Sequence, residues 1–156
     1  MKLQIGDTSP DFTTTASQIG QADRQFKLSA ELQKGPVLLV FYPGDFTSVC
    51  TKQLCDYRDN WESLKKFNVQ IVGVSTDPRE SHEKFIAANN FPFSLLDDST
   101  KEICKKFDML MFVGLAKRGL VLIGKDGKIS YYFNEVLPFF KRSASEVADV
   151  LRSAGA

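Results

Sequence analysis

Two cysteines five positions apart, Cys50 and Cys55, are the side chains best suited to chemistry in this 156-residue sequence. A thiolate is a nucleophile and an electron donor, and a nearby thiol can close a disulfide with it. Cys50 follows an apolar run from Val37 to Tyr42 and a break at Pro43-Gly44-Asp45. The run has the pattern of a strand buried on both faces, and the break is turn chemistry. Thr47 and Ser48 then offer hydroxyls for a helix N-cap. Cys50 is therefore expected in the first turn of a helix, just beyond the carboxyl end of a strand, where ligands of open α/β sheets bind. Unpaired amides and the positive end of the helix dipole favour a thiolate there, so the sequence predicts a reactive sulfur. Thr47, three residues before Cys50, can cap the helix and hydrogen-bond a thiolate or a bound oxygen. Pro43 has no amide to donate and fixes the chain's entry angle, which would shield the sulfur. The plainer alternative is an ordinary strand-to-helix loop with a buried cysteine.

Behind Cys50, apolar residues recur at Leu54, Tyr57, Trp61 and Leu64, with spacings of four, three, four and three. That is one stripe of an amphipathic helix, with Lys65 and Lys66 suited to its last turn and Asn68 to its end. Cys50 shares the stripe and should face inward, whereas Cys55 does not. At roughly 100° and 1.5 Å per residue, their Cα atoms lie about 8–9 Å apart on an intact helix. A disulfide needs less than about 7 Å, so oxidation of the pair requires the first turns to unwind. This predicts Cys50 as the attacking thiolate and Cys55 as the thiol that resolves it. The alternative for Cys55 is a partly exposed residue with no role.

These residues need a scaffold, and the rest of the chain has the pattern of one. Phe12–Ala16 and Gln25–Leu28 read as short strands, and Ser29 as the cap of a short helix. Val69–Ser75 repeats the buried-strand pattern. Arg79–Ala88 reads as a helix ending at Asn89-Asn90, and Phe93–Leu96 as a short strand. Ser99 is expected to cap a helix reaching Phe107. Leu120–Ile123 and Ile129–Phe133 flank Asp126-Gly127, a strong hairpin signal. Ser143 or Ser145 begins a last helix ending near Ser153. The expectation is an α/β fold with a mixed central sheet flanked by helices, as one domain over residues 1–156.

Composition narrows the function. With 20 Lys and Arg against 19 Asp and Glu, the net charge of +1 argues against an electrostatic nucleic-acid binder or a polybasic membrane-surface protein. No apolar run approaches the ~20 residues that cross a bilayer. The start, MKLQIGDTSPDF, has no apolar leader core, and three sparse cysteines do not make a disulfide scaffold. A cytoplasmic location is expected.

Other candidates read as structural. Cys104, beside Ile103, is expected in the core, with an intermolecular or substitute resolving thiol as its functional alternative. His82, the only histidine, is expected at the surface or as a cap of the Arg79–Ala88 helix. Cys50, Cys55, Cys104 and His82 lack the paired spacing of zinc ligands, so no metal is expected. Gly114 and Gly119 have the spacing of a phosphate loop, but Leu120 stands where its lysine must be. Asp97-Asp98 reads as a turn and cap, and the apolar cluster Val136 to Phe140 as packing.

The motif Pro43-x-x-x-Thr47-x-x-Cys50 resembles the active-site motif of the peroxiredoxins. FYPGDFTSVCTKQLCDYRD, with its second cysteine five residues on, is similar to the bacterioferritin comigratory protein, or Q, type. GDTSPDF, the PVLLVFYPGDFT strand, IVGVSTD, SHEKF, FPFSLLDD and the IGKDGKI hairpin occur in that family's order, so the resemblance covers nearly the whole chain.

This resemblance implies a thioredoxin-like fold and a cysteine-based peroxidase acting on hydrogen peroxide and organic hydroperoxides. It implies Cys50 as the peroxidatic cysteine, Cys55 as the resolving cysteine and Arg118 as the active-site arginine. A permanent cation at Arg118 would stabilise a thiolate and the charge developing on oxygen. It further implies no cofactor, reduction by thioredoxin or a glutaredoxin, and a monomer or weak homodimer. The chain departs from the pattern at Ser48 and Val49, where prolines are common, and at Gln53, usually glutamate. Arg142-Ser143-Ala144-Ser145 replaces a common glycine-histidine pair. Two rival readings are a thiol–disulfide oxidoreductase, disfavoured by the lack of C-x-x-C, and a redox-responsive binding module.

Overall fold

Side chains along the run from Val37 to Tyr42 alternate between two cores. Val37, Leu39 and Phe41 enter one with Val72, Val74 and Val121, while Leu38, Val40 and Tyr42 enter the other with Leu54, Tyr57 and Leu120. A strand does this because successive side chains point to opposite faces. The computed structural model describes residues 3–135 and 143–154. Its elements are β1 (Thr13–Ser17), β2 (Arg24–Lys27), α1 (Leu28–Glu31), β3 (Val37–Phe41), α2 (Ser48–Asp59), α3 (Trp61–Leu64), β4 (Gln70–Ser75), α4 (Arg79–Asn89), β5 (Ser94–Asp97), α5 (Glu102–Lys106), β6 (Arg118–Ile123), β7 (Ile129–Glu135) and α6 (Ala144–Ser153). A 3-10 turn, Lys65–Phe67, follows α3.

The strands form one seven-stranded sheet in the order β2-β1-β5-β4-β3-β6-β7. β3 pairs parallel with β4 and antiparallel with β6, so the sheet is mixed as expected. One face carries the apolar sides of α2, α4 and α6 through Leu54, Phe85 and Val147. The other is covered by Phe12, Phe26, Ile103 and Cys104 of α5 and Phe107 just after it. Among the described residues, no helix is long and apolar enough to cross a membrane.

Two local expectations change and a third holds. The helix stripe runs on to Leu64, but the backbone breaks at Asn60, with φ −111° and ψ 20°. Asn60 Nδ2 donates to the Asp56 carbonyl at 2.9 Å, closing α2 with a side chain in place of a further turn. α5 is not capped by Ser99. Lys101 takes a left-handed conformation with φ 67°, and Asp98 accepts from the amides of Ile103 and Cys104 at 2.9 and 2.8 Å. Asp98 is thus the cap. α6 starts as read, with Ser143 and Glu146 forming a reciprocal capping box. The cluster Val136 to Phe140 lies outside the described residues.

Candidate active site

The site begins with strand register. β3 and β6 run antiparallel with Phe41 opposite Gly119, which sets Arg118 just past the end of β3. That is where the Pro43–Thr47 loop hands over to α2. Gly119 is required by packing: a Cβ there would sit 2.5 Å from the Phe133 carbonyl oxygen and 2.6 Å from Met109 Cε. Cys50 is the third residue of α2 and fully buried. Its first turn contains no acidic residue, so the dipole's positive end meets no competing carboxylate.

Arg118, also buried, spans the gap between strand and helix. Its Nη2 donates to Cys50 Sγ at 3.1 Å, and its Nη1 donates to Gln53 Oε1 at 2.5 Å. Gln53 Nε2 in turn donates to Tyr57 Oη at 2.9 Å. Cys50, Gln53 and Tyr57 lie on the inward stripe of α2 and the arginine meets them from the sheet. A permanent cation within hydrogen-bond reach stabilises negative charge on the sulfur, and burial strengthens the effect by excluding water. Gln53 was visible in the sequence only as a departure from a pattern. Here the amide oxygen holds the guanidinium without bringing a carboxylate beside the sulfur. The burial of Tyr57, more than any neighbouring charge, pushes its phenol well above the ordinary range, so Tyr57 stays protonated.

The loop is fixed from behind by residues whose contact the sequence does not announce. Asp45 Oδ1 accepts from Tyr42 Oη at 2.6 Å, and Asp45 Oδ2 accepts from Ser81 Oγ at 2.7 Å. His82 Nδ1 lies 2.7 Å from that same Oδ2, and its Nε2 lies 2.9 Å from the Leu96 carbonyl. A carbonyl only accepts, so Nε2 carries a proton. His82 is fully buried, contrary to the surface or capping role expected of it. Phe46 adopts a left-handed φ of 64° and lays its ring 4.9 Å from that of Phe85 on α4.

The remaining candidates fall as follows. Thr47 occupies the N-cap position, but its hydroxyl donates to the Gly44 carbonyl at 2.9 Å and makes no capping bond. The capping bond expected of that hydroxyl is therefore replaced by one that tightens the loop. Pro43 is half-buried at the start of the same loop. Cys55 is half-buried, with Sγ donating to Asn89 Oδ1 at 3.5 Å, and all three cysteines are unpaired. Cys104 is buried in the core across the sheet from Cys50, so the two thiols cannot share a site. Burial, and then its hydrogen bond to Asp98, push the Cys104 thiol well above its ordinary range.

Residues 5–132 match the AhpC/TSA family. The chain is 35% identical over 135 residues to the chloroplastic peroxiredoxin Q of Sedum lineare, an alignment covering 85% of this chain and 70% of the relative. It is 33% identical over 135 residues to the chloroplastic peroxiredoxin Q of Oryza sativa subsp. japonica, covering 85% of this chain but only 60% of that longer relative. Among solved structures, the reduced 2-Cys peroxiredoxin of Plasmodium vivax superposes with a TM-score of 0.89 at 26% identity, covering 97% of this chain and 81% of the other. That likeness fits the thioredoxin-like architecture expected of the mixed sheet. With a buried cysteine at a helix start and an arginine on its sulfur, the chain belongs to the AhpC/TSA family and is a peroxiredoxin, a thiol-dependent peroxidase.

Proposed function

We propose that Cys50 is the peroxidatic thiolate and that Cys55 resolves it. The observation that carries this reading is the 3.1 Å hydrogen bond from Arg118 Nη2 to the buried Cys50 sulfur at the start of α2. The thiolate attacks the terminal oxygen of hydrogen peroxide or an organic hydroperoxide. The O–O bond breaks, the leaving oxygen takes a proton and departs as water or an alcohol, and Cys50 becomes a sulfenic acid. Arg118 stabilises the sulfur before attack and the oxygen charge that develops during it. Thr47 Oγ, its proton committed to Gly44, still accepts and so can orient the O–H of an incoming hydroperoxide. Pro43 sets the loop's entry and helps keep water from the sulfur. Cys55 then condenses with the sulfenic acid, releasing water and forming the Cys50–Cys55 disulfide. A dithiol of the thioredoxin or glutaredoxin kind exchanges with that disulfide, leaving both thiols reduced and itself oxidised. No bound cofactor takes part. The enzyme works as a single-domain monomer or weak homodimer in the cytoplasm, where a reducing pool resets it.

Peroxide consumption coupled to thioredoxin and its NADPH-dependent reductase tests the assignment. Cys50→Ser is expected to lose turnover entirely. Cys55→Ser is expected to lose thioredoxin-dependent turnover yet still form a sulfenic acid once. Unchanged turnover in Cys50→Ser overturns the peroxidatic role, and full turnover in Cys55→Ser overturns the resolving one.

A further inference from the structure

We infer that Asn89, the last residue of α4, is a positioning residue that holds Cys55 away from Cys50 and thereby sets the pace of disulfide formation. This rests on the reading of Cys55 as the resolving thiol. α2 is helical from Ser48 through Asp59, so the pair is held at the helical separation that forbids a bond. What keeps it so is visible at Asn89. Its Nδ2 donates to the Phe85 carbonyl at 3.1 Å, which turns its Oδ1 toward Cys55. Cys55 Sγ donates to that Oδ1 at 3.5 Å, and Arg58, three residues on, donates from Nη1 to the Asn89 carbonyl at 2.7 Å. One residue at the end of α4 therefore fastens both Cys55 and the residue about one turn beyond it. On the other side, Asp56 Oδ2 accepts from the Ala144 amide at 2.7 Å, tying the same stretch to α6.

Cys55 cannot reach the Cys50 sulfenic acid without leaving Asn89, and α2 cannot unwind that far without releasing Arg58. Both bonds exist before condensation and must be broken for it, so they add to its barrier. The condensation itself balances: Cys55 loses its proton, its sulfur attacks the Cys50 sulfur, and the hydroxyl leaves as water with that proton. While Cys55 is held, a second peroxide can transfer its oxygen to the Cys50 sulfenic acid, giving a sulfinic acid and water or an alcohol. Asn89 thus sets how much peroxide the enzyme survives, without touching the peroxide.

Single-turnover mixing with hydrogen peroxide, quenched and read by intact mass, distinguishes the products. Sulfenic acid gains one oxygen, the disulfide loses two hydrogens and sulfinic acid gains two oxygens. Asn89→Ala and Arg58→Met break different bonds of the same fastening, and Arg58→Met leaves α4 intact. Each is expected to speed disulfide formation by roughly three- to tenfold, to leave sulfenic acid formation unmoved, and to lower the sulfinic fraction at excess peroxide by a similar factor. Disulfide formation at the parent rate or slower in both variants overturns the proposal, including the case where only thermal stability falls. If the parent chain stops at a gained oxygen and never loses two hydrogens, the resolving role of Cys55 itself falls, and this role of Asn89 with it.

Discussion

The Arg118 guanidinium can hold Gln53 and Cys50 at once because its two terminal nitrogens diverge in a plane. On the proposed mechanism, losing it removes both the cation beside the sulfur and the donor for the developing oxyanion. Arg118→Ala is therefore expected to slow peroxide reaction by about a hundredfold, read as the second-order rate of Cys50 oxidation in stopped flow. Arg118→Lys, with a single nitrogen, restores only part of that rate. A rate within twofold of the parent for Arg118→Ala would show that the cation is not needed. This residue was the least legible part of the site. Lys117 beside it is identical in charge, and only the pairing of Phe41 with Gly119 decides which of the two reaches the sulfur. Cys50 and Cys55, by contrast, were legible because a strand pattern, a turn and a helix stripe follow one another without a gap from Val37 to Leu64.

At the scale of elements, the active-site loop and α4 act as one piece through Asp45, Ser81 and His82. Truncating one member of a buried, hydrogen-bonded pair leaves its partner uncompensated. His82→Ala is expected to lower unfolding free energy by about 3 kcal/mol, measured by denaturant titration. A loss under about 1 kcal/mol would mean that the other donors to Asp45 suffice. The sequence hid this link because Asp45 and His82 are 37 positions apart, although His82 shares the buried face of α4 with Phe85 and Ile86. It hid the break at Asn60 for a different reason. Trp61 and Leu64 keep to the core side whether or not the backbone is continuous, so an apolar stripe cannot report a side chain capping the helix from within. α2 also carries a dynamic expectation. Amide hydrogen exchange over Thr51–Tyr57 should quicken once the enzyme is oxidised, and unchanged protection there would contradict unwinding.

For the molecule as a whole, the sheet divides the chain into two interiors that treat thiols in opposite ways. Cys50 meets a guanidinium at a helix start, while Cys104 meets a carboxylate in the opposite core. Two other buried acids share the fate of Cys104. Burial, before any other cause, raises Cys104 above its ordinary 9.0 and both Tyr57 and Tyr42 above their ordinary 10.0, with the Asp45 charge adding to the shift at Tyr42. In the unfolded chain these groups ionise at the ordinary values, while the folded chain keeps them protonated. Their contribution to stability is therefore full below pH 9.0 and drains away as pH rises past 9.0 and then 10.0. Denaturant midpoints should hold steady from neutrality to about pH 9 and fall beyond it, and less steeply in Tyr57→Phe. A midpoint flat through pH 10.0 would contradict the burial argument.

Gly119 carries a consequence for anyone who maps this enzyme by saturation mutagenesis. Any side chain there must displace the Phe133 carbonyl or Met109, or else push back β6 itself, the strand whose first residue is Arg118. In a peroxide-survival screen, position 119 will be depleted as severely as the cysteine itself. It has no functional group, so ranking by depletion alone would score a steric spacer as a catalyst.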